Sequence, residues 1–356
     1  MSVNLFTPVQ IGHVQLKNRI FMAPLTRIRA GPSHLPNDLM KEHYAQRASA
    51  GLLITECTMI SPNLSAFVGE PGVYSNDQLI AWKEITDAVH AKDGKIFIQL
   101  WHPGRRAHPD NNDGAPNVAP SAIALQGETP TLKGKQPHAV PRELTVGEIL
   151  EIVEQFATAA KNSIDVAGFD GIEIHAANGY LIDQFLHSCA NTRTDEYGGS
   201  LENRSRFLTQ VLQAVTDAIG ADKVGIRFSP INSHGWTVNE DPFELGEHLA
   251  KIAERFHVAY VHILRRDMFK VLQGDVEQTF RKHFHNTLIS NMGYTKDEAN
   301  AKIESGVIDA VAFGTLFIAN PDLPERFAKD AELNQPNPAT YYSCGAEGYN
   351  DYPTLS

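Results

Sequence analysis

The chain has 356 residues, 42% of them hydrophobic, with 31 basic against 42 acidic side chains and a formal net charge of -11. That balance speaks against a surface built for nucleic acid or an anionic membrane, and the length is ample for a large buried core. Three scattered cysteines, Cys57, Cys189 and Cys344, include no Cys-x-x-Cys pair, which argues against a disulfide framework, a zinc site or an iron–sulfur cluster.

Residues 5–17 alternate apolar and polar side chains around Gly12-His13 and predict a hairpin ahead of the main body. A first buried strand covers 18–24 and ends at Pro24. A helix over 38–49 follows, with Leu39, His43, Tyr44 and Arg47 at helical spacing. Strand 52–56, helix 76–91 and strand 95–101 continue the alternation. The stretch 102–143 is polar, rich in Pro, Gly, Asn and His, and without periodicity; loops of this length are commonly functional or mobile. Thr145 then caps a helix over 146–166 whose apolar stripe is Ile149, Ile152, Val153, Phe156 and Ala160. Strands at 171–175, 224–228, 258–264, 287–290 and 309–313 alternate with helices at 202–219, 242–255, 276–284 and 296–304. A last helix starts from Pro321, where proline fits a first turn. The tail, 334–356, is polar and aromatic. The opening residues carry no signal-peptide pattern and no apolar run is long enough to span a bilayer, so a cytoplasmic protein is expected.

Eight short strands, mostly continuous in hydrophobicity and each followed by a helix, imply an α/β fold. The expected form is a (β/α)8 TIM barrel with an N-terminal β-hairpin and a long loop after strand 3, in a single domain over 1–356. An open doubly wound sheet is the alternative, and the lack of G-x-G-x-x-G after the first strand counts against it. In a barrel the chemistry belongs at the carboxyl ends of the strands. Those ends carry Pro24-Leu25-Thr26, Cys57, Gln99 with Trp101-His102, His175 with Asn178 and Tyr180, Arg227, Asn291 with Gly293, and Gly314-Thr315. A metal hydrolase or a glycosidase would bring carboxylates or several histidines here. Amides, hydroxyls, an imidazole and one guanidinium suit a neutral-to-anionic planar ligand instead. The glycine turns after strands seven and eight stand where barrels commonly hold a phosphate, so an isoalloxazine ring with a phosphate tail fits.

Each residue type also has a plainer reading. A lone histidine such as His175 is more often an ordered core side chain, and Thr26 and Gln99 pass as capping or loop residues. Arg227 in an apolar strand is harder to excuse, because a buried unpaired guanidinium is costly; a buried ion pair is its plain alternative. Arg105-Arg106 reads as a solvated or ion-paired loop, and 193–204 as a charged network bracing a loop. Phe67, Trp101 and Tyr349 are candidates for the wall of a substrate pocket, although packing alone would account for such aromatics.

Several ordered segments carry a family resemblance: Leu5-Phe6-Thr7-Pro8, Lys17-Asn18-Arg19, Met22 to Arg27, Gln99 to His102 with Gly104-Arg105, His175 to Leu181, Arg193 to Ser200, Ile318 to Leu323, and Gly345 to Tyr349 with Asp351-Tyr352-Pro353. Together they resemble the old yellow enzyme family of FMN-dependent ene-reductases, near its N-ethylmaleimide reductases. The resemblance implies tightly bound, non-covalent FMN, NADPH or NADH as hydride donor, and activated alkenes, quinones or nitro esters as substrates. By that resemblance Thr26 and Gln99 bond the flavin's pyrimidine edge, and Arg227 sits beside N1 and the C2 carbonyl. His175 and Asn178 match a clamp on a carbonyl or nitro oxygen, and Tyr180 the proton donor. The sequence departs from the family at Thr315, where many members carry arginine after Phe-Gly, and at Cys57 and Met292, where smaller residues are common. Arg265 and Arg266 are unusual for their position. Two other classes remain open at this stage: a phosphate-binding aldolase or isomerase, for which no lysine or carboxylate base stands at a strand end, and a flavin-binding protein without turnover.

Overall fold

The computed structural model describes residues 3–233, 241–267 and 269–355. Eight parallel strands close on one another: β1 Ile20–Met22, β2 Leu53–Met59, β3 Ile96–Trp101, β4 Gly171–Ala176, β5 Val224–Phe228, β6 Tyr260–Leu264, β7 Thr287–Asn291 and β8 Ala310–Phe313. β8 pairs back onto β1, so the barrel is complete and no edge is left open. A helix follows each strand: α1 Asp38–Gln46, α2 Asn76–His90, α3 Val146–Asp165, α4 Arg206–Ile219, α5 Pro242–Arg255, α6 Val276–His283, α7 Lys296–Glu304 and α8 Leu323–Ala328. The expected (β/α)8 barrel is therefore the fold. Capping boxes at Ser75 with Gln78 and at Thr145 with Glu148 satisfy the first amides of α2 and α3.

Side chains alternate across the barrel wall. Ile172 and Ile174 face the helices in the main apolar cluster, as do Ile98, Leu100, Ile226 and Val261. Inside, Phe21, Ile54, Phe97, Tyr260, Ile289, Ala310 and Ala312 form an apolar floor together with Val9, Ile11, Val14 and Leu16. Those last four belong to the predicted hairpin, Val9–Ile11 paired antiparallel with Val14–Leu16, which plugs the amino end of the barrel. Gly171 and Gly225 leave room at this level for the rings of Phe97 and Tyr260, which pack 5.8 Å apart.

Three features were not visible as elements. The 102–143 excursion contains an antiparallel hairpin, Glu128–Thr131 with Gly134–Pro137, and a short parallel pair, Val118–Ala119 with Arg142–Glu143. Short helices follow β4 and β8, at Leu181–Leu186 and Thr315–Ala319, so the last helix begins at Leu323 rather than Pro321. The expected helix over 202–219 is broken at Ser205, whose hydroxyl lies 2.9 Å from His248 Nε2.

The tail is bound to the barrel by arginines. Arg47, fully buried, donates to the carbonyls of Phe317, Ile318 and Tyr349 at 2.8, 2.9 and 3.3 Å. Arg27 reaches the carbonyls of Tyr341 (3.0 Å) and Gly348 (2.8 Å), and Arg29 those of Tyr341 (2.9 Å) and Thr340 (3.0 Å). Beneath them, Glu56 Oε2 accepts the backbone N–H groups of Arg27 and Ile28 at 3.0 and 3.1 Å. Ile28 has φ of 55°, a strained value for a β-branched residue, and the carboxylate helps hold it there. Among the described residues no helix is long and apolar enough to cross a membrane.

Two stability predictions come from this packing. Gly225→Ala drives a methyl into the Tyr260 ring and should cost about 1–3 kcal/mol, read as a lower Tm. Burial pushes the Glu56 carboxyl up to about 7 from 4.5, so its contribution to stability is present at low pH and lost as pH rises through about 7. Glu56→Gln should remove that slope; parallel pH–stability curves for the two proteins between pH 4.5 and 7 would refute it.

Candidate active site

The carboxyl ends of the strands surround a cleft of about 900 Å³. It is lined from β1 by Pro24, Leu25 and Thr26, from the end of β4 by Asn178 and Tyr180, and from β5, β7 and β8 by Arg227, Asn291, Gly293, Gly314 and Thr315. Phe67 lines it too, with Arg106, the 128–130 segment and His138 of the excursion and Tyr341 and Tyr342 of the tail.

Four predicted residues stand behind this wall. His175 meets Tyr180 edge-on with ring centroids 4.9 Å apart. Cys57 Sγ lies 3.3 Å from Thr26 Oγ1, and burial pushes its thiol pKa up, so it stays protonated. Gln99 is buried with its Nε2 donating to Glu173 Oε1 at 2.7 Å, which leaves its Oε1 as an acceptor. Trp101 is also fully buried, stacked against Phe67 at 5.9 Å and edge-on to Tyr180 at 5.1 Å, so it backs the wall instead of forming it. Tyr349 is not at the cleft. Its ring stacks on His43 at 3.8 Å and lies under Arg27 and Arg29, because the tail folds it into the arginine network; Tyr341 and Tyr342 take the place expected for it.

The β4 end is built by its backbone. Asn178 and Gly179 both have left-handed φ, 59° and 75°, which turns the chain sharply between His175 and Tyr180. Ala177 N–H donates to His175 Nδ1 at 3.3 Å, so Nε2 carries the ring hydrogen. Burial, with Arg227 and His262 nearby, holds this imidazole well below its ordinary pKa, and it is a neutral donor. Asn178 Oδ1 accepts from Asn232 Nδ2 at 2.8 Å, which commits the oxygen and leaves the Asn178 NH2 to donate. Burial raises the Tyr180 phenol well above its ordinary pKa, so it keeps its proton.

Arg227 lines the cleft from β5, the neighbouring strand, in register with His175. Nη2 donates to Asn291 Oδ1 at 3.1 Å, while Nε is buried without an acceptor. Among the described residues it forms no salt bridge, so the ion-pair reading is not met. The nearest compensating carboxylate is Glu173, fully buried inside the barrel. Its Oε2 accepts from Tyr260 Oη at 3.1 Å and His262 Nδ1 at 2.9 Å. Burial alone would raise this carboxyl, but His262, Arg227 and Gln99 together hold it below its ordinary pKa. Sequence reasoning passed over Glu173, His262 and Asn232. A usable signal existed: Glu173 and His262 are polar residues in continuous apolar strands, at the same two-residue alternation as His175.

The glycine turns take the form expected of an anion cradle. Met292 and Gly293 have φ of 95° and 71°, and a Cβ at Gly293 would lie 3.5 Å from Arg266 Nη1, so the guanidinium sits over the turn. Arg265 points elsewhere: it is stacked on Tyr294 and paired with both oxygens of Glu298. Arg105-Arg106 is not a solvated pair. Arg105 is buried and Arg106 lies over the Tyr180 ring at 5.5 Å, because the excursion folds back over the cleft. Arg193 is structural as expected, joining Asp195 to the carbonyls of Pro120 and Leu144. A planar ligand with an acceptor edge and an anionic tail fits these residues: Arg227 Nε lacks an acceptor, Gln99 and Thr26 offer hydrogen bonds at one edge, and Arg266 with the Gly293 and Gly314 turns closes the far end.

Residues 4–334 match the sequence profile of the NADH:flavin oxidoreductase / NADH oxidase family. A probable flavin mononucleotide-dependent alkene reductase of Leishmania infantum is 45% identical, over 99% of this chain and 97% of its own. The structure of the old yellow enzyme from Trypanosoma cruzi superposes with a TM-score of 0.96 at 42% identity, covering 99% of this chain and 99% of that one. Morphinone reductase in complex with tetrahydroNAD superposes at 0.94 with 42% identity, over 99% and 98%.

Proposed function

The chain belongs to the NADH:flavin oxidoreductase / NADH oxidase family as an old yellow enzyme, and from that premise we propose how its own residues run the reaction of an FMN-dependent, NAD(P)H-driven ene-reductase. The observation that carries the assignment of roles is Arg227: a buried guanidinium whose Nε has no acceptor in the protein, beside two neutral donors and a protonated phenol. Such a set is costly unless a ligand supplies the acceptors.

When bound here, FMN would supply the hydride chemistry between NAD(P)H and the β-carbon of an activated alkene. The cradle is the set Pro24, Leu25, Thr26, Cys57, Gln99, Arg227, Asn291, Gly293, Gly314 and Thr315. With FMN bound, Arg227 would set a fixed positive charge against the ring, and Gln99, whose Nε2 is held by Glu173, would offer its Oε1 as an acceptor. Thr315 would contribute one neutral hydroxyl where arginine is common, and Arg266, over the Gly293 turn and 3.5 Å from Glu298, would supply a cation for the phosphate.

His175 Nε2–H and the Asn178 NH2 donate to the carbonyl or nitro oxygen of the substrate and draw charge from the conjugated alkene. Neither donor is charged, so the clamp favours an oxygen that becomes negative only as the reaction proceeds. Ser229 and Asn232 are positioning residues: they hold the Asn178 backbone at 2.8 Å and its amide at 2.8 Å. Tyr180 O–H gives its proton to the α-carbon. Phe67 and Trp101 shape the apolar side of the pocket, and quinones and nitro esters are further substrates that such a clamp suits.

The purified protein should be yellow, bleach with NADPH or NADH and recover its colour with an enone; a colourless protein that takes up no FMN sinks the reading. His175→Ala should cost about 3–4 kcal/mol in the alkene step. Tyr180→Phe should slow that step by roughly 10²-fold or more while leaving the nicotinamide step nearly intact, in stopped-flow traces. Arg266→Ala should weaken FMN binding and flatten its salt dependence, read by quenching of free FMN fluorescence, with riboflavin binding unaffected.

A further inference from the structure

Two donors at the excursion end of the cleft have no acceptor in the protein and take no part in the clamp or the cradle. Arg106 lies over the Tyr180 ring with its Cζ 5.5 Å from the centroid, and its Nε is buried without a partner. His138, just past the hairpin, has a buried Nδ1 in the same condition. Both line the cleft beside Asn178 and Tyr180. Their neighbours are tied to the scaffold by other atoms. Arg105 Nη1 donates to the Ile123 carbonyl at 3.2 Å, and His108 Nε2 lies 3.2 Å from the Pro137 carbonyl, so the scaffold occupies them. Glu128 lines the same end, yet no ion pair joins it to Arg106 among the described residues.

A guanidinium and an imidazole held this way are unsatisfied until something brings acceptors, and in a protein of net charge -11 a retained local positive charge needs a reason. Burial and the neighbouring Arg106, His108 and Arg105 hold His138 below the ordinary imidazole pKa; as the neutral tautomer it still has one N–H to donate. The Tyr180 ring meets His175 on one side and Arg106 on another, so a group bound at Arg106 lies next to the clamp.

We propose that Arg106 and His138 form an anion-recognising subsite next to the carbonyl clamp, which takes a carboxylate or phosphate carried by one of the reactants. The identity of those reactants rests on the ene-reductase reading. Two sources share the chemistry: a carboxylate attached to the alkene substrate, and a phosphate of the nicotinamide donor. The subsite makes the enzyme selective for an unsaturated oxo acid over its ester, or for NADPH over NADH.

The test uses the flavin-loaded protein, its Arg106→Met and His138→Gln variants, and 4-oxopent-2-enoic acid with its methyl ester. Steady-state kcat/KM gives the acid-to-ester ratio, and stopped-flow reduction gives the NADPH-to-NADH ratio. One of the two ratios should fall by roughly tenfold or more in Arg106→Met and by less in His138→Gln, as loss of a charged hydrogen bond implies. A fall in the acid-to-ester ratio assigns the anion to the alkene, and a fall in the donor ratio assigns it to the nicotinamide. If both ratios are unchanged in both variants, the subsite does not exist. Should the wild type reduce neither acid nor ester, the ene-reductase reading fails instead; calorimetric titration with each compound and with inorganic phosphate then tests the subsite alone.

Discussion

A negative charge inside a closed barrel is the constraint around which this molecule is arranged. Glu173 has no exposure, and an ionised carboxylate in such a place is tolerable only with its acceptor capacity filled and a positive charge nearby. Gln99 from β3, Tyr260 and His262 from β6, and the field of Arg227 from β5 provide both. β4 and β6 flank β5 and are not hydrogen-bonded to each other in the sheet, so the bonds from Tyr260 and His262 to Glu173 tie together two strands that the ladder leaves apart. The same bonds decide what faces upward. Gln99 has its amide nitrogen engaged from below, and Arg227 is compensated from a distance, which keeps its Nε unspent.

The upper half of the barrel is then a matter of which groups are committed and which are left over. His175, Asn178 and Gln99 each have one hydrogen-bonding atom engaged by the scaffold and another that the scaffold leaves uncommitted. Arg265 and Arg266 share Glu298: the first pairs with both its oxygens and stacks on Tyr294, while the second lies 3.5 Å from one oxygen and also stands over the turn at Gly293.

The barrel was legible because fully buried parallel strands are apolar at nearly every position and alternate with amphipathic helices. The site was legible because residues at strand ends share one face of any such barrel. What was hidden had physical reasons. The Glu128–Pro137 hairpin is polar on both sides and shows no alternation to detect. Leu181–Leu186 is buried all round, so it has no amphipathic signature. Tyr349 was misplaced because an aromatic residue in a tail says nothing about which surface it docks on, and here three arginines decide it. Glu173 was in plain view and passed over, since a single charged residue in a strand reads as noise until its partners on other strands are known.

The hairpin at Val9–Leu16 has a consequence for traffic. Its four apolar side chains seal one end of the barrel against Phe97 and Tyr260, so the chamber above is a cul-de-sac. Whatever reaches the strand ends must back out by the mouth through which it came, past Tyr341, Tyr342 and the 128–130 segment. Two visitors that need the same floor space cannot queue inside; each departure has to be complete before the next arrival. The tail and the excursion that frame this mouth therefore act as a turnstile, and changes there alter who is admitted and for how long without disturbing the charged layer at the centre of the barrel.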